Sequence, residues 1–91
     1  MSKYEFNDVY LIIPGETILE FLEINCMSRL DLAIKLGMSK KTINEIIQGK
    51  ATITPLTALK LEYVFNTPAS FWNNLESNYR GSLKKMLFLK P

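Results

Sequence analysis

The sequence predicts an all-α domain of five helical segments, centred on two short helices joined by a tight turn. Three observations predict it. Apolar residues recur at helical spacing in successive segments between Gly15 and Arg80. Cap and stop residues bracket most of those segments, with Ser28, Ser39, Thr54-Pro55 and Thr67-Pro68 at starts and Gly37, Gly49 and Asn66 at ends. The β-prone stretches are confined to the chain ends, so short terminal strands are the only β structure expected.

In chain order, Val9 to Ile13 (VYLII) is β-prone and stops at Pro14-Gly15. A lone strand needs a partner, which could be the helical body, the C-terminal tail or another chain. Gly15 to about Asn25 reads as the first helix, with Ile18, Leu19, Phe21 and Leu22 inward and Glu16, Glu20 and Glu23 toward water. Cys26, which follows, reads as a small apolar filler, since no basic residue adjoins it.

The stretch SRLDLAIKLGMSKKTINEIIQGK, Ser28 to Lys50, supplies the next two helices. Ser28 caps the first, with Asp31 as a capping-box partner. Leu32, Ala33 and Leu36 form its stripe, and Gly37 ends it where a positive φ is needed. Ser39 caps the second, Ile43, Ile46 and Ile47 face inward, and Gly49 closes it. Met27 with Leu32, and Met38 with Ile43, fit hydrophobic staples. Small Ala33 and the short turn predict a close, steep crossing of the two helices.

Thr54-Pro55 opens a fourth helix running to about Phe65, with Ala58, Leu59, Leu61, Tyr63 and Phe65 expected inside and Asn66 as its stop. Thr67-Pro68 repeats the cap-and-proline device before a fifth helix. That helix carries the stripe Phe71, Trp72, Leu75 and Tyr79, read as core rather than a base-stacking platform because Glu76 interrupts it. Gly81-Ser82 predicts a break, after which the tail turns basic and apolar. Met86 to Leu89 could cover the core, form a strand or make a dimer contact. The resulting segmentation is an N-terminal extension at 1–13, a helical domain at 14–80 and a tail at 81–91.

The outward face of the third helix suggests function. With its isoleucines inside, Lys40, Lys41, Asn44, Glu45 and Gln48 point out. Cations in a helix's first turn oppose its dipole, so Lys40 and Lys41 make most sense facing an anion or a base edge. Lys can reach guanine O6 and N7, Asn can pair with adenine, and Glu can accept from cytosine N4. Arg29 and Lys50 flank that face and could hold phosphates, helped by the amides near Gly49. An ordinary helical hairpin with a solvated polar face would account for the caps alone. The caps, the Gly37 turn, Ala33 and the cationic first turn together point to a helix-turn-helix that reads DNA.

Composition narrows the alternatives. A chain of 91 residues supports one domain with one core. Net charge is only +2, yet Arg29, Lys35, Lys40, Lys41 and Lys50 face just Asp31 and Glu45 within the central stretch. A basic patch on a nearly neutral domain suits a sequence reader better than a general nucleic-acid coat. With one cysteine and no histidine, neither an intrachain disulfide nor a His/Cys metal site can form. No cofactor is expected. The absence of a membrane-length apolar run and of a signal-peptide pattern predicts a cytoplasmic protein with no membrane partner. No phosphate-binding glycine loop or activated nucleophile is evident, which argues against an enzyme.

Three stretches, PGETILEFLE, MSRLDLAIKLGMSKKTINEIIQGK and ITPLTALKLEYVFNTPASFWNNLESNYR, resemble the HigA-type antitoxins of the XRE-like helix-turn-helix class. The likeness covers Pro14 to Arg80 in order and without a gap, and TINEIIQGK and TPASFWNNLE are its specific segments. It implies a compact five-helix, lambda-repressor-like domain that binds double-stranded operator DNA as a homodimer. It further implies neutralisation of a small, ribosome-dependent, mRNA-cleaving toxin of the HigB type and repression of the toxin–antitoxin operon. On this resemblance the base-reading positions fall at Lys40, Lys41, Thr42 and Glu45, with Asn44 beside them. The phosphate-holding positions fall at Arg29, Gln48 and Lys50, and Ser39 completes the DNA-facing set at the cap. Ala51 departs from the pattern where Arg or Lys is frequent, Arg29 stands where Gln is frequent, and Lys40-Lys41 replaces a common Arg-Gln.

The sequence IPGET, TPASFWNNLESNYR and the preceding Asn7-Asp8 also resemble the N-terminal region of regulators fused to an ImmA/IrrE-type metallopeptidase. The chain lacks histidine and so is expected to contain no peptidase. The alternative reading is therefore a protein-interaction module, or a free-standing remnant of such a regulator, without antitoxin activity.

Overall fold

The computed structural model describes the backbone of residues 3–6 and 9–89 and the side chains of residues 12–88. The Asn7-Asp8 pair and positions 1–2 and 90–91 of the terminal segments lie outside the described residues. A two-stranded antiparallel hairpin, β1 (Lys3–Phe6) and β2 (Val9–Ile12), precedes five helices. These are α1 (Pro14–Ile24), α2 (Arg29–Leu36), α3 (Lys40–Ile47), α4 (Pro55–Phe65) and α5 (Ala69–Leu89). The all-α architecture with short terminal strands is as expected. The partner of the Val9 strand is the segment just before it, in the register Lys3↔Ile12 to Phe6↔Val9.

The helix ends follow their cap chemistry closely. Ser28 accepts from the Asp31 N–H while Asp31 accepts from the Ser28 N–H, a complete capping box. Gly37 ends α2 at φ +68, a conformation that costs an L-residue with a Cβ about 1 kcal/mol or more. Ser39 and Thr54 cap α3 and α4 through the N–H groups of Thr42 and Thr57. Asn66 stops α4 in the left-handed region. The cap of α5 differs from expectation. Thr67 donates its hydroxyl back to the Phe65 carbonyl, and the Glu62 carboxylate on α4 takes the Ala69 N–H instead.

The core is assembled from one face of each helix. Ile18 and Leu22 of α1, Leu32 of α2, Ile43 of α3, Leu61 of α4 and Trp72 of α5 are buried together. Phe21, Phe65 and Phe71 pack around the Trp72 ring with centroids 5.0–5.9 Å away, Phe21 and Phe71 edge-on and Phe65 tilted. Phe71 itself sits at the margin and is partly exposed.

Several expected positions are corrected. Leu59 and Tyr63 are exposed, 55% and 93%, because α4 turns Thr57, Ala58, Leu61 and Phe65 inward and those two lie on its opposite face. Cys26 is an exposed turn residue at φ +51, not a core filler. Gly81-Ser82 does not break the chain. Helix α5 runs 21 residues through it to Leu89, and β2 packs against that helix. A glycine in a helix costs only about 1 kcal/mol, which such packing can offset. The tail is therefore helix rather than strand, with Leu87 and Phe88 exposed.

Candidate nucleic-acid interface

Helices α2 and α3 meet across the Gly37–Ser39 turn, and their inner residues Leu32, Ala33, Leu36, Ile43, Ile46 and Ile47 are all buried. That seating turns a polar face of α3 outward. Lys40, Lys41 and Gln48 are exposed, while Thr42, Asn44 and Glu45 are half-buried on the same helix. Lys50, past its end, is exposed. Neither Lys40 nor Lys41 forms an ion pair with a described residue, so α3 opens with uncompensated positive charge at its positive pole.

Arg29, the first residue of α2, reaches across to α3. Its Nη1 donates to Asn44 Oδ1 at 2.9 Å in a partly buried bond. Asp31 is occupied elsewhere. The backbone N–H of Ser28, and then its side chain, hold the Asp31 carboxyl below its ordinary pKa. Its charge thus serves the α2 cap. Ser39 is likewise engaged, accepting from the Thr42 N–H and sharing a 2.9 Å hydrogen bond with the Thr42 hydroxyl.

The C-terminal end of α3 is held from three sides. A Cβ on Gly15 of α1 would lie 1.9 Å from the Ile47 carbonyl oxygen, so the two backbones approach as only glycine permits. Gly49, at φ +79, abuts the Tyr79 hydroxyl of α5. Glu76 of α5 accepts the Ile53 N–H at 2.9 Å and pairs with Arg80, which also donates to the Ala51 carbonyl at 3.3 Å. Lys60 of α4 donates to the Leu36 carbonyl at the end of α2. None of these supports figured in the expected set. The i, i+4 spacing of Glu76 and Arg80 is visible in the sequence, but the loop they grip is not.

One expected element is absent. The N–H groups of Gly49, Lys50 and Ala51 all donate to carbonyls of Glu45 and Ile46. They complete the C-cap of α3 and cannot also hold a phosphate. The expected site residues otherwise gather on one surface: Ser39, Lys40, Lys41 and Thr42 at the start of α3, Asn44, Glu45 and Gln48 along it, and Arg29 and Lys50 beside it. Among the described residues, no group of His, Cys, Asp and Glu is arranged to hold a metal ion, and no helix is long and apolar enough to cross a membrane.

The helix-turn-helix family model matches residues 26–72. Virulence-associated protein I of Dichelobacter nodosus is 36% identical over 74 residues, spanning 80% of this chain and 68% of that protein. Among solved structures, the antitoxin HigA of Pseudomonas aeruginosa, determined with the higBA promoter, matches with a TM-score of 0.75 at 36% identity over 80% of each chain. An addiction module antidote protein of a HigA family from Coxiella burnetii matches with a TM-score of 0.68 at 32% identity over 88% of this chain and 95% of that one.

Proposed function

Because the chain belongs to the helix-turn-helix family, we propose that it is a dimeric, operator-binding transcriptional repressor that also serves as the antitoxin of a HigBA-like module. The observation that carries this reading is the outward face of α3, opened by exposed Lys40 and Lys41, on a frame matching an antitoxin determined with the higBA promoter. Helix α3 enters the major groove by its N-terminal turn. Lys40, Lys41, Thr42 and Glu45 reach base edges there, while Arg29, Gln48 and Lys50 hold phosphates on either side. A symmetric pair of such units reads a palindrome with half-sites about 34 Å apart, one helical turn. The toxin partner is a small mRNA-cleaving protein. The chain works as a binding protein without catalysis or cofactor, in the cytoplasm where its operator lies.

A mobility shift with the DNA upstream of its own gene, against a scrambled control at physiological salt, tests the reading. Lys41→Ala relaxes sequence preference, whereas Arg29→Ala or Lys50→Ala weakens binding to every sequence and flattens its salt dependence. Ala51 in place of a basic residue and the net charge of +2 favour a second reading, a protein-interaction module that has lost DNA binding. Equal or absent binding to both DNAs selects that one.

A further inference from the structure

We propose that Asn44 is a positioning residue, which holds Arg29 for a phosphate, rather than a reader of adenine. The inference rests on the DNA-binding function proposed above.

Its basis is the 2.9 Å bond from Arg29 Nη1 to Asn44 Oδ1. A guanidinium can only donate, so the amide orientation follows from the partner: Oδ1 faces Arg29 and Nδ2 faces away. Bidentate recognition of adenine needs the same oxygen to accept from N6 while the nitrogen donates to N7. With Oδ1 already engaged, Asn44 cannot make that pair without releasing Arg29. Asn44 is also half-buried, where Lys40 and Lys41 are exposed.

Arg29 gains what Asn44 gives up. It stands at the N-terminus of α2, where a cation is disfavoured by the helix dipole and an anion is favoured. The nearby carboxylate of Asp31 is committed to the Ser28 cap, and Arg29 has no ion pair with a described residue. One N–H of its fork is anchored on α3 and the rest are left for a phosphodiester, whose two oxygens match that fork. The bridge also ties the phosphate contact of α2 to the register of α3. Backbone grip and base reading then share one rigid frame.

The test is a binding selection with the full chain on a library randomised through one half-site, at fixed salt. It compares the natural protein with Asn44→Ala, Asn44→Asp, Arg29→Ala and the Arg29→Ala/Asn44→Ala pair. Asn44→Ala is expected to weaken binding about three- to tenfold on every sequence while leaving the base preference at each position unchanged. Asn44→Asp keeps an acceptor for Arg29 but lacks the donor for adenine N7, so it too leaves the preferences unchanged. The double variant is expected to bind within about twofold of Arg29→Ala, because the two residues act through one contact. Loss of an adenine preference at one position in either Asn44 variant, or losses that multiply in the double variant, overturns the inference alone. A natural protein that shows no base preference overturns the proposed function, and this inference with it.

Discussion

Replacing Gly15 by Ala sets two effects of opposite sign against each other. In a helix first turn, alanine is the better residue by up to about 1 kcal/mol, so propensity alone predicts a gain in stability. The added Cβ, however, would lie 1.9 Å from the Ile47 carbonyl oxygen and 2.4 Å from its carbon. Real Cβ contacts do not fall under 3.0 Å, so α1 and the end of α3 must separate by on the order of 1 Å. The obstacle is backbone on both sides, with no flexible side chain to swing away. Overpacking of a well-filled core costs about 1–3 kcal/mol, and a backbone-to-backbone conflict belongs at the upper end. The net expectation is a loss of about 2 kcal/mol. For a domain of this size that lowers Tm by roughly 8–16 °C, read by circular dichroism, with Gly15→Ser behaving alike. The same displacement shifts the seat of α3, so operator affinity should fall even at temperatures where the variant is folded. A Tm equal to or above that of the natural chain would refute the reasoning, and the close approach of α1 to Ile47 would have to be abandoned.

Three other outcomes follow from features of the same frame. Glu76→Ala leaves the Ile53 N–H without its acceptor and Arg80 without its partner; it should cost about 2 kcal/mol in urea denaturation, and Glu76→Gln, which keeps an acceptor, should cost less. Asp31 has a folded-state pKa below the 3.8 of a free side chain, so its contribution to stability is present above that value and is lost as the pH falls through the lower folded-state pKa. Asp31→Asn should therefore melt below the natural protein at neutral pH, and the gap should close on acidification. Cys26 is exposed, so its thiol should react fully with a disulfide reagent in the folded protein, and a reaction that requires denaturant would contradict its placement.

Much of this fold can be read along the chain because its punctuation is local. Ser28, Gly37, Ser39, Thr54-Pro55 and Asn66 act on backbone groups within a few residues of themselves, and each does so as its residue type dictates. Leu59 and Tyr63 escaped because α4 is apolar on more than one face; which face turns inward depends on α2 and α5, not on spacing within α4. Gly81 escaped for a related reason. Its weak local preference against helix, about 1 kcal/mol, yields to a helix that packs against α4 and β2, neither of which is visible in the residues around Gly81. At the candidate site, the polar face of α3 followed from the positions of three isoleucines. The bridge from Arg29 to Asn44 did not, since it joins residues 15 apart across a helix crossing. The grip of Glu76 on Ile53 spans 23 positions and was equally hidden.

The side chains that open helix α3 take no part in fastening it. Gly15, Gly49 with Tyr79, and the Glu76–Arg80 pair hold its C-terminus and the loop beyond, while Lys40 and Lys41 at the other end are exposed and form no ion pair among the described residues. Changes at those two positions therefore carry little folding penalty. On the proposed function, they are also among the positions that choose the DNA. Duplicated copies of such a gene could drift apart in their targets by exchanging two side chains, each copy keeping its own promoter free of interference from the other while the scaffold stays the same.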